Sequence, residues 1–250
     1  HVEIYTDDDK WGQEAHITIP QEATLDLIHA VLSEYNYSTL HRGSIVTSFD
    51  GIMGAGLGSS GAFSVCLLGA LYRELGIPID RKKIAHKAWE IEVQNLGWYG
   101  GKQDQLAAVY GGMNMFEIGK EITVYPFERE IAENLLPHLL LCYIGGTRKS
   151  RDIQDNLRVL SNEKIQILNK IKNTARTASE CLAQENMEEV GILMDQAWEL
   201  KKQSNNVTDE RIDMIYALAK RAGATGGKLM GAGQGGYMLF FCSPEKRQDL

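Results

Sequence analysis

Apolar positions along the chain change period several times. Val2–Tyr5 (VEIY) and His16–Ile19 (HITI) alternate and are parted by the polar run DDDKWG, which predicts two strands. Residues 21–35 bring Leu25, Ile28 and Leu32 to helical spacing, and the β-branched run SIVTSF at 44–49 predicts a strand. A glycine-rich loop follows, then a helix over 60–75. Pro78 and Asp80 announce a further helix over 80–96. Another helix is expected over 103–109, short strands within 113–127, and a buried strand over 139–144 that ends in Gly145-Gly146. Two or three helices fill 150–222, with Gly223 as a stop signal, and a second glycine-rich stretch at 231–236 runs into the strand YMLFFC. This mixing of strands and helices gives an α/β or α+β class. The run ERE, Pro137 and a new buried strand place the boundary of two packed units near 130–138.

Composition narrows this reading. The chain has 250 residues, of which 44% are apolar and 24% charged, so it is neither a wholly disordered nor a collagen-like chain. A net charge of −7 argues against a general nucleic-acid coat. Cys66, Cys142, Cys181 and Cys242 form no CxxC pair and no zinc spacing, and read as buried free thiols of a reducing compartment. Gly51–Tyr72 is uncharged, but its first half is too rich in Gly and Ser for a membrane span. No secretory signal opens the chain. His1 and the closing run PEKRQDL read as the interior of a longer product, with both ends missing.

The first glycine loop, GIMGAGLGSSG over 51–61, follows a strand and opens a helix. Glycines admit positive φ and let backbone N–H groups approach an anion, and the helix adds the positive end of its dipole. Ser59 and Ser60 are good caps whose hydroxyls could face a phosphate or a metal. No lysine follows in the P-loop position. Gly56, Gly58 and Gly61 match GxGxxG, but Asp80 heads a helix where a dinucleotide fold wants an acid ending a strand. A tightly packed strand–helix turn is the plain alternative.

On the helix 80–96, at about 100° per residue, Ile84, Ala85, Ala88, Ile91 and Leu96 share one arc, and Glu92 falls inside it. An acid on an apolar face needs a partner, a metal or a chemical task, and a salt-bridged seam residue is the competing reading. Asp104 follows a glycine turn and could face a cleft. Lys102 is either a substrate contact or a solvated loop lysine. The basic run GGTRKSR at 145–151 suits a dianionic phosphate through Arg148 and Arg151, or is an ordinary capped helix start. The string KLMGAGQGGY contains a second GxGxxG (Gly231, Gly233, Gly236), but it precedes a strand, so a dinucleotide reading fails there too. His16, His29, His41, His86 and His138 show no metal spacing and are given packing or surface roles. Trp98-Tyr99 either packs or lines a sugar face.

Three strings in order, GAGLGSSGAFSVCLLGAL, GGKQDQLAAVYGGMN and KLMGAGQGGY, resemble motifs of the GHMP kinases. The resemblance implies an α+β fold of two domains: an N-terminal ATP-binding domain like ribosomal protein S5 domain 2 over 1–135, and a ferredoxin-like C-terminal domain over 136–250. It implies that Gly54, Ala55, Gly56, Leu57, Gly58, Ser59, Ser60 and Gly61 wrap the phosphates of ATP. By the same likeness Ser60 and Glu92 hold Mg²⁺, and Asp104 faces the substrate hydroxyl as base. Gly101, Lys102, Gln103, Asp104, Arg148 and Arg151 line the substrate, and Gly231, Ala232, Gly233, Gly235 and Gly236 support the nucleotide loop. Ile52 stands where the family has a proline, and Gln234 where glycine is common. The family's first motif is not in the sequence. The second string resembles the sugar-kinase branch, which implies phosphorylation of an anomeric hydroxyl, with D-glycero-D-manno-heptose 7-phosphate as acceptor and the 1,7-bisphosphate as product. A fucokinase-like sugar 1-kinase module and a catalytically silent sugar-binding regulator are the alternatives. The expected partners are ATP and a sugar or sugar phosphate, without nucleic acid or membrane, in the cytoplasm. Self-association is left open.

Overall fold

The computed structural model describes residues 2–5, 15–17, 22–35, 44–47, 52, 54–98, 100–146, 161–204, 207–231, 233 and 235–250. It divides into two compact units. One comprises His1–Met53 and Gly58–Tyr110; the other comprises Gly54–Leu57 and Gly111–Leu250. Residues 111–135, which the sequence reading placed in the first domain, therefore group with the second unit.

In the first unit, β1 (Val2–Tyr5) lies between β2 (Ala15–Ile17) and β3 (Ser44–Thr47), antiparallel to both. Four helices accompany this sheet: α1 (Glu22–Glu34), α2 (Ser59–Glu74), α3 (Arg81–Glu90) and α4 (Gln103–Tyr110). Their shared core is built from Leu27, Ile28, Val31 and Leu32 of α1, Leu68 and Leu71 of α2, and Ile84 and Ala88 of α3. Each large aliphatic buried this way contributes about 1.5–3 kcal/mol. Asp80 caps α3 by accepting the Lys83 amide at 3.0 Å, as its sequence position predicts. Lys87 then bridges Glu34 of α1 and Glu90 of α3 at 2.8 and 2.9 Å. The helix expected to run on to 96 changes its winding: Ile91–Asn95 form a π-helical turn that carries Glu92.

In the second unit, β4 (Asn114–Ile118) and β5 (Ile122–Pro126) form a hairpin. A short helix, α5 (Arg129–Leu135), leads into β6 (Leu139–Gly145). Three longer helices follow: α6 (Asn162–Ala183), α7 (Met187–Ser204) and α8 (Glu210–Ala222). Gly223 ends α8 with φ +114°, the stop its sequence announced. Then come β7 (Ala224–Leu229) and β8 (Gly236–Cys242), giving an antiparallel sheet of order β6-β8-β7. Met238 and Phe240 of the central strand pack with Ile212 and Tyr216 of α8, while Phe241 packs with Cys181, Val190 and Leu193 of α6 and α7.

The class is α+β. Neither β7 nor α5 was expected. Of the four cysteines, all free, Cys181 and Cys242 are buried as expected, Cys142 is half-buried and Cys66 is exposed on α2. Among the described residues, no helix is long and apolar enough to cross a membrane.

Candidate active site

The first glycine loop turns through positive φ at Gly54, Gly56 and Gly58. Gly58, in the left-handed region at φ +74°, is the residue that caps α2, and it makes no side-chain cap bond. Ser59 and Ser60 are thus the first residues of the helix and not its caps. The loop delivers the chain directly into the N-terminus of a 16-residue helix, whose dipole and first amides favour an anion there.

Two acids of the first unit converge near that helix start. Asp104, in the first turn of α4, lies against the start of α2 because glycines leave room for it. A Cβ on Gly61 would sit 2.9 Å from the Asp104 Cβ, and one on Gly58 would sit 3.3 Å from the Asp104 Cγ. Glu92 is buried in the π turn, and Ser64 Oγ donates to its Oε1 at 2.5 Å. The same hydroxyl lies 2.9 Å from the carbonyl of Ser60, one turn earlier on α2. Burial holds the Glu92 carboxyl above the ordinary glutamate range; hydrogen bonds from Ser64 and Gln105 oppose this, and the nearby Asp104 charge adds to it.

Gln105 is buried as well, and its Oε1 has no hydrogen-bond partner. Sequence reasoning missed both Ser64 and Gln105. The available signal was a serine four residues after Ser60 inside an apolar run, on the same helix face.

These oxygens suit a hard cation. Ser60, Glu92 and the orphaned Gln105 Oε1 offer only oxygen donors, as Mg²⁺ requires. Among the described residues there is no group of three or more His, Cys, Asp or Glu able to hold a metal unaided. One or two carboxylates completed by substrate phosphates and water is the usual Mg²⁺ arrangement, so the residues fit it.

Lys102 is half-buried beside α3. Its Nζ lies 3.0 Å from His86 Nδ1 and 4.4 Å from the centroid of the Trp89 ring. Trp89 Nε1 donates to the Gly100 carbonyl at 3.0 Å, which anchors the turn before α4. Gly101 and Gln103 are exposed. Arg148, Arg151 and Ala232 lie outside the described residues, as do Tyr99 and Gln234.

The second glycine loop meets residues 54–57 inside the second unit, backbone to backbone. A Cβ on Gly231 would sit 2.6 Å from the Gly56 Cα, and a Cβ on Gly56 would sit 2.6 Å from the Met230 carbonyl oxygen. Tyr237 N donates to the Ala55 carbonyl at 3.1 Å. A Cβ on Gly236 would collide with the same carbonyl, one on Gly233 would press on Val207, and one on Gly235 on Gly145 and Gly146.

A helix start capped by a glycine behind a glycine loop, with a buried glutamate and an aspartate beside it, defines an α+β protein equipped for phosphate groups and a hard cation. The chain belongs to the GHMP kinase family. Residues 24–112 match the GHMP kinases N terminal domain and residues 178–250 the GHMP kinases C terminal domain. It is 35% identical over 214 residues to D-glycero-alpha-D-manno-heptose 7-phosphate kinase of Campylobacter jejuni, covering 83% of this chain and 63% of that protein. It is 30% identical to the mevalonate kinase of Methanothermobacter thermautotrophicus, covering 76% and 61%. The chain thus spans a little over three fifths of these relatives. A D-glycero-D-manno-heptose 1-phosphate kinase from Bacteroides thetaiotaomicron has a similar structure, with a TM-score of 0.70 at 26% identity over 95% of this chain and 72% of that one.

Proposed function

We propose that this chain is the catalytic part of an ATP- and Mg²⁺-dependent kinase that phosphorylates the anomeric hydroxyl of a sugar phosphate. The acceptor is D-glycero-D-manno-heptose 7-phosphate and the product is the 1,7-bisphosphate. The observation that carries the reading is Asp104 lodged against the glycine-capped start of α2, beside the buried Glu92. The name of the Campylobacter jejuni relative supports the choice of acceptor.

In this reading the amides of residues 54–61 and the start of α2 hold the phosphates of ATP. Ser60 and Glu92 hold Mg²⁺, which when bound neutralises charge on the transferring phosphates. Ser64 keeps Glu92 turned toward Ser60. Asp104 orients the sugar hydroxyl and takes its proton late, as the oxygen–phosphorus bond forms and the bond to ADP breaks. Gly101, Lys102 and Gln103, with Arg148 and Arg151, border the sugar phosphate, and Gly231, Ala232, Gly233, Gly235 and Gly236 brace the nucleotide loop. The kinase works in the cytoplasm.

The test is ADP release by the full-length protein with MgATP across heptose 7-phosphate, heptose 1-phosphate, fucose, galactose, mevalonate and homoserine. Turnover with heptose 7-phosphate, lowered about 10³-fold by Asp104→Asn, is the expected result. Turnover with fucose alone would replace the acceptor. ATP binding without turnover on any acceptor would turn the reading toward a silent sugar-binding regulator.

A further inference from the structure

Lys201 stands near the end of α7 in the second unit, and no role given so far uses it. Its side chain is half-buried, and its Nζ donates to the Gly231 carbonyl at 3.0 Å. Gly231 is the residue whose backbone touches Gly56, so the ammonium lies one carbonyl away from the junction of the two glycine loops.

The neighbouring lysines have acids and, among the described residues, Lys201 does not. Lys202 is bridged to Glu199 at 2.7 Å and lies 3.8 Å from Asp213, and Lys220 lies 3.3 Å from Asp195. Among the described residues, no carboxylate comes within ion-pair distance of Lys201. The charged group that faces it is another cation, Lys228 of β7. Neither residues 54–57 nor residues 230–236 carry an ionisable side chain. An ammonium has three N–H donors, and the Gly231 carbonyl satisfies one. Taking a cation out of water without a counter-charge is costly. Burial and Lys228 together push the Lys201 amine down to about 8. A group left this way is completed when an anion arrives beside the glycine loops.

We propose that Lys201 is a nucleotide-binding residue whose ammonium, held by the Gly231 carbonyl at the junction of the two glycine loops, pairs with the polyphosphate of the bound nucleotide. This rests on the reading of residues 54–61 as the nucleotide loop. Lys201 acts only while protonated, so affinity for a polyphosphate falls as pH rises through the free amine's value, and nucleotide binding takes up a proton there.

The experiment is calorimetric titration of the full-length protein with ADP at pH 7, 8 and 9, for the wild type, Lys201→Gln and Lys201→Arg, with the unfolding midpoint of each ligand-free protein. The wild type should lose about tenfold in ADP affinity between pH 7 and 9. Lys201→Gln should bind about tenfold more weakly at pH 7 with no such pH dependence. Lys201→Arg, which keeps its charge, should bind as the wild type does at pH 7 and hold that affinity through pH 9. Wild-type affinity in Lys201→Gln, or an equal pH dependence in Lys201→Arg, would overturn the proposal while leaving the nucleotide site standing. Weak binding by both variants with a lowered unfolding midpoint would overturn it in favour of a brace for the Gly231 loop. No ADP binding by the wild type would overturn the nucleotide reading itself, and this proposal with it.

Discussion

Around Glu92 the protein works with side chains; around Ala55 and Gly236 it works with their absence. In the first region a carboxylate, a hydroxyl and an amide are buried together, and one amide oxygen is left without a partner. In the second, two stretches of backbone approach so closely that a single methyl at Gly56, Gly231 or Gly236 would collide. The two regions tolerate change differently. The oxygen cluster can lose its chemistry and keep its fold. The backbone junction cannot accept a side chain without moving.

Gly236→Ala should show the largest loss of stability. Its φ is +97°, and its new Cβ would run into the Ala55 carbonyl. Strain of this kind costs about 1–3 kcal/mol before the collision is counted. Urea unfolding should place the variant about 3 kcal/mol or more below wild type. A loss under about 0.5 kcal/mol would show that the junction yields.

Glu92→Gln should move stability the other way while removing activity. With its carboxyl held above the ordinary range, Glu92 binds a proton more tightly in the folded state than in the unfolded chain. Metal-free wild-type protein therefore keeps its full stability from this group below the ordinary glutamate range. It loses that contribution as pH rises through the folded value. The Gln variant lacks this loss. Its unfolding free energy at pH 8 should exceed wild type by about 1 kcal/mol, and the gap should close near pH 4. A Gln variant less stable at pH 8 would show that the carboxylate is held by more than the contacts described.

Gly101→Ala should change stability least. Nothing lies within 4 Å of its would-be Cβ, and its φ is not in the left-handed region. Unfolding should stay within about 0.5 kcal/mol of wild type. A rise in the sugar KM with stability unchanged would place Gly101 at the acceptor.

Much of this was legible in the sequence, for physical reasons that vary by residue. Asp80 before the Ile84, Ala85, Ala88 and Ile91 stripe announced α3, because capping and burial agree there. Glu92 stood out as an acid on an apolar arc, and it is buried. The π turn that carries it has no sequence marker in IEVQN. β7 stayed hidden because Gly226 and Gly227 have low strand propensity. Those glycines are required by packing, since α7 passes so close that a Cβ on Gly226 would collide with the Gly191 carbonyl. Ser64 read as one polar position in an apolar helix, and only the fold brings it to Glu92. That no described acid lies beside Lys201 depends on neighbours far away in the chain.

The segment Gly54–Leu57 groups with the second unit although its flanks belong to the first. That has a consequence for synthesis. Ala55 leaves the ribosome about 180 residues before Tyr237, whose amide it receives. At roughly 5–20 residues per second, that carbonyl waits on the order of 10–40 s for its partner. The first unit can assemble its helices early, but the last turn of α2's own entry loop cannot close until the C-terminal strands have been made. A truncated nascent chain would hold the serines and acids of the site and still lack the surface against which its glycines fit.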